Sequence, residues 1–126
     1  MPNFITIKKK IKRFDKKIEI SGDKSISIRW VLISSIATGV SRAKNLLMSD
    51  DVLAAINAVR KFGIKVKKRK NIFEIMGKGI DGYKYKKNIS INAQNSGTLG
   101  RLLLGLIINS PYPIKLIGDK SLSKRD

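Results

Sequence analysis

The chain has 126 residues and a formal charge of +18, from 27 basic against 9 acidic side chains, with no cysteine and no histidine. That length suits one modest domain, or one piece of a larger one, and buries roughly two thirds of the unfolded surface. The composition excludes a disulfide framework, a thiolate nucleophile and a Cys-ligated zinc site, and it removes the commonest general base and metal ligand. In chain order, "FITIKKKIKRF" alternates weakly between apolar and polar positions and predicts a strand with a charged face. "KKIEI" predicts a second short strand that ends at Ser21-Gly22-Asp23. From Lys24 to Ala37, apolar Ile28, Val31, Leu32 and Ile36 fall at helical spacing, with Asp23 or Ser25 as cap and Thr38-Gly39 as stop. "VSRAKNL" reads as a strand.

"SDDVLAAINAVRKFG" carries the fullest set of helix signals. Ser49 is the expected N-cap, Asp50 and Asp51 sit in the first turn, Arg60 and Lys61 in the last, and Gly63 is the stop. Val52, Leu53, Ile56, Val59 and Phe62 are its expected buried face. "IKVKK" and "IFEIMG" around the basic turn "RKN" predict a hairpin, and "GKGIDGYKYKKN" a loop. "ISINA" reads as a strand, "SGTLGRLLLGLIIN" as a largely apolar helix, and "IKLIG", after Pro111 and Pro113, as a strand. Strands alternating with helices argue for a layered α/β (α+β) architecture. The chain stops in polar "DKSLSKRD" and is expected to be interrupted there.

The charge invites a polyanion-binding reading, because clustered Lys and Arg release counterions from phosphate backbones. Yet 20 of the 27 basic residues are lysine and another 20 residues are isoleucine, a chain-wide bias rather than a stripe. One Trp, three Tyr and four Phe, spread widely, offer little for bases to stack on. A solvated lysine-rich surface is therefore the expectation, with no nucleic acid as partner, and a basic nucleic-acid-binding module is the alternative. No apolar run reaches the ~18 to 20 residues that span a bilayer, and the N-terminus lacks the apolar core of a signal peptide. No membrane partner and a cytoplasmic location are expected.

Three polar, glycine-containing segments stand at element junctions: "SGDKSISIR", "QNSGTLGR" and "GDKSLSKR". Two precede a helix, where free backbone N–H groups and the positive end of the dipole suit an anion. Lys24, Arg29, Arg101 and Arg125 add charge, and a Ser or Thr hydroxyl adds a donor at each. Each segment alone also reads as a turn, a cap or a solvated tail. The first lacks P-loop spacing. Three together, without a nucleophile or metal constellation, favour a site for phosphorylated or carboxylated ligands.

These strings, with "NLLMSDDVLAAINAVRKFGIKV" between them, resemble the N-terminal part of the EPSP synthase (3-phosphoshikimate 1-carboxyvinyltransferase) family in order and close to its spacing. The sister family of UDP-N-acetylglucosamine enolpyruvyl transferases is the alternative, but it usually carries an Ala-Lys-Asn version of the first motif. The resemblance implies an enolpyruvyl transferase-like fold of repeated βαβαββ units, here an incomplete inside-out α/β barrel. It implies transfer of the enolpyruvyl group from phosphoenolpyruvate to the 5-hydroxyl of shikimate 3-phosphate, with no cofactor and no metal, by an enzyme that is a monomer when complete. By the same resemblance, Lys24 lies between both substrates, and Ser25 and Arg29 hold shikimate 3-phosphate. Gly97 and Arg125 hold phosphoenolpyruvate, while Asn95 and Thr98 support that loop. Asp50 and Asp51 match a recurring pair, to which helix capping assigns no substrate. Ile28 stands where the family usually has His or Asn, Gln94 replaces a common Gly, Gly100 a common Met, and Asp126 a Pro. Residues 1–20 are expected to belong to an absent second domain and 21–126 to a partial first domain. With the family's acid and base outside this chain, the expectation is a truncated, non-catalytic piece.

Overall fold

The computed structural model describes residues 4–10, 12–13 and 15–125. Its elements are helix α1 (Lys24–Ile36), strand β1 (Thr38–Lys44), helix α2 (Asp50–Lys61), strands β2 (Lys65–Arg69), β3 (Ile72–Lys78) and β4 (Ile89–Asn92), helix α3 (Gly97–Leu106), strand β5 (Ile114–Ile117) and a 3₁₀ turn at Leu122–Lys124. β1 and β2 flank β3 in a three-stranded antiparallel sheet, whereas β4 and β5 form a separate parallel pair. The mixed helix-and-sheet architecture expected from the sequence is present.

Each element follows local chemistry. Asp23 caps α1, its Oδ1 accepting from the Ile26 N–H at 2.7 Å. α2 carries acids at its start and bases at its end, and Gly63 closes it at φ +79°, a left-handed turn that glycine enters without a steric penalty. Alternation in β3 turns Phe73 and Ile75 inward, and Glu74 faces out between Arg42 and Lys67 of the neighbouring strands. Arg42 Nε donates to Glu74 at 2.8 Å and holds that carboxyl below its ordinary pKa. Seven cations, Arg42, Lys44, Lys65, Lys67, Lys68, Arg69 and Lys78, are exposed along this sheet.

The core gathers Ile28, Val31 and Leu32 of α1, Val52, Ile56 and Val59 of α2, and Phe73 and Ile75 of β3 around Phe62, all nearly or fully buried. The loop at residues 79–88 is pinned to it by aromatic rings. Tyr83 stacks on Phe62 with centroids 4.7 Å apart, Tyr85 meets Phe62 edge-on at 5.3 Å, and the Tyr83 hydroxyl lies 2.6 Å from Ser35 Oγ. Burial pushes the Tyr83 phenol up, partly offset by that Ser35 hydrogen bond.

Several expectations change. The two strands expected before Ser21 do not form: the described residues among 4–20 are irregular, and Phe4, Ile5, Ile7, Ile18 and Ile20 are exposed. A strand needs a neighbour for its backbone groups, and no strand among the described residues pairs with this stretch. Residues 11 and 14 of that stretch, and Asp126, lie outside the described residues. Leu53, expected on the buried face of α2, is 40% exposed. Ser49 stands at the N-cap of α2 without making the capping hydrogen bond, and its hydroxyl is buried without a partner.

Candidate functional site

The first segment divides between site and scaffold. Lys24, in the first turn of α1, points its ammonium at Asp51 in the first turn of α2, Nζ to Oδ2 at 2.9 Å. Ser25 is half-buried and Arg29 exposed, one turn apart on the same stripe of α1. Arg29 lines an apolar groove with Leu32, Ile33, Leu102 and Leu106, between α1 and α3. Ser27 is scaffold: its buried hydroxyl donates to the Asp23 carbonyl at 2.6 Å and accepts from the Leu47 N–H at 3.1 Å. Ile28 is fully buried among core side chains, so its place in the motif is a packing position and contributes nothing to a ligand surface. The Asp23 carboxylate occupies the Ile26 N–H, as expected of a cap, and puts a negative charge at the start of α1, while the N–H groups of Lys24 and Ser25 have no partner among the described residues.

The second and third segments are brought together by the parallel pair. Beyond the ends of β4 and β5, the Ala93 N–H donates to the Ile117 carbonyl and the Asp119 N–H to the Gln94 carbonyl, each at 2.8 Å. Gln94 turns through φ +51°, a left-handed conformation that costs a side-chain-bearing residue about 1 kcal/mol and suits the glycine the family resemblance places there. Ser96 caps α3, its Oγ accepting from the Leu99 N–H at 3.2 Å. The N–H groups of Gly97 and Thr98, which precede any intrahelical acceptor, have no partner among the described residues.

Arg125 reaches this helix start. Its Nη2 donates to Asn95 Oδ1 at 2.6 Å, and a Cβ on Gly97 would lie 3.3 Å from its Nη1. The absent side chain at Gly97 therefore lets a guanidinium approach the opening turn of α3. Gly97, Gly100, Arg101, Leu116, Leu122 and Arg125 are among the residues that line a cavity of about 250 Å³ there, with two guanidinium groups over an apolar floor. At Asn95, Gly97 and Arg125 two free N–H donors, a helix start and a planar fork of donors converge, a donor set whose chemistry suits an anion. Thr98 follows Gly97 in the same turn and is half-buried.

One residue that sequence reasoning set aside joins the two clusters. Asp51, paired with Lys24, also lines a cavity of about 470 Å³, together with its neighbour Asp50 and with Asn92, Gln94, Asn95 and Asp119 among others. A path thus runs from Lys24 through Asp51, across that cavity, to Asn95 and Arg125. Its only local signal was an acid in a first helical turn, which capping alone explains. Among the described residues there is no group of three His, Cys, Asp or Glu able to hold a metal ion, and no helix long and apolar enough to cross a membrane.

Residues 8–125 match the family model for EPSP synthase (3-phosphoshikimate 1-carboxyvinyltransferase). The chain is 39% identical over 117 residues to the 3-phosphoshikimate 1-carboxyvinyltransferase of Sulfurihydrogenibium sp. (strain YO3AOP1), an alignment covering 93% of this chain and 27% of that protein. To the protein of the same name from Streptococcus pyogenes serotype M1 it is 42% identical over 108 residues, covering 86% of this chain and 25% of the relative. Among solved structures, EPSP synthase from Acinetobacter baumannii superimposes with a TM-score of 0.75 at 34% identity, covering 87% of this chain and 25% of that one. The chain spans about a quarter of the length of the relatives it matches.

Proposed function

We propose, for a chain that belongs to the EPSP synthase family, that it supplies one wall of a cleft in which phosphoenolpyruvate meets shikimate 3-phosphate. The complete protein would transfer the enolpyruvyl group to the 5-hydroxyl of shikimate 3-phosphate by addition and then elimination of phosphate. The observation that carries this reading is the convergence of Arg125, Asn95 and Gly97 at the start of α3, beside a cavity that reaches the partner of Lys24. Both substrates are polyanions, and a wall of Lys, Arg, Ser and backbone N–H groups is what their charge requires.

In this reading Lys24 is shared by both substrates, Ser25 and Arg29 hold shikimate 3-phosphate, and Gly97 and Arg125 hold phosphoenolpyruvate. Asn95 orients Arg125, and Thr98 completes the turn. We assign no catalytic acid or base to this chain, which spans a quarter of its relatives, and no cofactor or metal to the reaction. Residues 1–20 are read as belonging to a second domain and 21–126 as part of the first. The compartment we propose is the cytoplasm, with a monomeric complete enzyme, and the exposed lysines as solvated surface instead of a nucleic-acid interface.

The test is a chemical-shift titration of the 126-residue chain. Shikimate 3-phosphate is expected to move Lys24, Ser25 and Arg29, and phosphoenolpyruvate to move Gly97, Thr98 and Arg125, without phosphate release from the mixture. Shifts that ignore these residues, or equal shifts with an arbitrary RNA oligonucleotide that fade steeply with salt, would overturn the reading. Phosphate release by the chain alone would overturn the assignment of catalysis elsewhere.

A further inference from the structure

We propose that Asp51 is the positioning residue for Lys24, a counter-ion that holds the ammonium beside the cavity joining the two anion-binding clusters. The inference rests on the reading of Lys24 given above. Asp50 and Asp51 are both first-turn acids of α2 and serve the helix dipole equally, so the dipole does not distinguish them. Their environments do. Both line the same cavity, but Asp50 is exposed and has no ion pair among the described residues, whereas the Asp51 side chain is only 17% exposed and lies 2.9 Å from Lys24 Nζ.

The physical need is specific to lysine. An ammonium on a four-carbon stem is a point charge with no preferred direction, and ordering that stem costs about 2 kcal/mol of rotamer entropy. The Lys24 side chain is 52% exposed, so packing does not order it. Asp51 does so from α2, whose other face is sunk in the core through Val52, Ile56 and Val59. The anchor is therefore rigid, and it faces the same cavity as Asn95, which in turn holds Arg125. Each of the two cations assigned to phosphoenolpyruvate thus has a polar partner at the rim of one shared space, Arg125 with a longer second contact to Ser121 Oγ at 3.4 Å.

This role and plain electrostatics predict opposite signs. Asp51→Asn removes a negative charge near an anion site, so Coulomb attraction alone gives tighter phosphoenolpyruvate binding. Positioning gives weaker binding.

The experiment follows NMR relaxation of the Lys24 ε-methylene, assigned with Lys24→Met, and titrates phosphoenolpyruvate into the 126-residue chain and its variants. Asp51→Asn is expected to free the Lys24 methylene and weaken binding about five-fold. Asp51→Glu, which keeps the charge but moves it by one methylene, recovers part of both, and Asp50→Asn, which takes the same charge from the same cavity without touching the Lys24 pair, leaves the Lys24 relaxation unchanged and does not weaken binding. Unchanged Lys24 relaxation or tighter binding in Asp51→Asn overturns the proposal. If Asp51→Asn does not fold, Asp51→Glu decides, and wild-type relaxation and affinity there overturn it. If the unaltered chain binds no phosphoenolpyruvate, the reading of the cleft fails, and the relaxation data alone decide whether Asp51 holds Lys24.

Discussion

Helices α2 and α3 bury themselves to different degrees: six of twelve residues in α2 against two of ten in α3, although α3 is the more apolar sequence. α2 packs against α1 and closes over the Phe62 cluster, so its apolar face finds partners. α3 sinks only Leu99 and Leu103, and leaves Leu102 and Leu104 41% and 54% exposed. The difference teaches that layers, not hydrophobicity, decide burial: a helix is covered only where elements exist to cover it. It also places the candidate site at a boundary, since Lys24 and Asp51 belong to the dense part and Gly97 and Arg125 to the open one.

The contrast is broken most forcefully at Phe62. Phe62→Ala removes a fully buried ring that stacks on Tyr83, and is expected to cost roughly 3–5 kcal/mol, against less than about 0.5 kcal/mol for Leu104→Ala on the open helix. Urea unfolding of both variants measures the gap, and similar losses would mean that the two regions share one core. At the boundary itself, Gly97→Ala pushes a methyl to 3.3 Å from Arg125 Nη1. Phosphoenolpyruvate affinity should fall about ten-fold, roughly 1.4 kcal/mol, while the urea midpoint barely moves. An unaltered affinity would show that Arg125 yields freely. The smallest effect is a gain. Gly100 lies inside α3 with open space where a Cβ would stand, so Gly100→Ala should raise stability by about 0.5–1 kcal/mol. A loss in the same unfolding measurement would mean that α3 is held in a less regular conformation than its hydrogen bonds indicate.

Much of the fold was readable locally. Both ends of α2, the hairpin of β2 and β3, and the helix that begins at Gly97 follow from caps, dipole charges and periodicity within a few residues. Ile28 illustrates the limit of motif reading. Its spacing with Val31 and Leu32 placed it on the buried stripe, while its place in "GDKSISIR" is one where the family usually has a polar His or Asn, and the stripe prevailed. "FITIKKKIKRF" illustrates another limit, because alternation states only which face a strand would bury, and pairing requires a second strand. Asp51 was hidden for the opposite reason: capping explained it so fully that nothing asked for a second role.

The sequence by itself determined the helices, the hairpin, the family and the polar residue types of the three glycine-containing segments, because those depend on short-range periodicity and on motifs read in order. Only the tertiary structure decided that Lys24 meets Asp51 and that Asn95 meets Arg125. Those pairs join residues 27 and 30 positions apart, and their meeting follows from how α1 packs on α2 and how β4 pairs with β5, which no local pattern encodes.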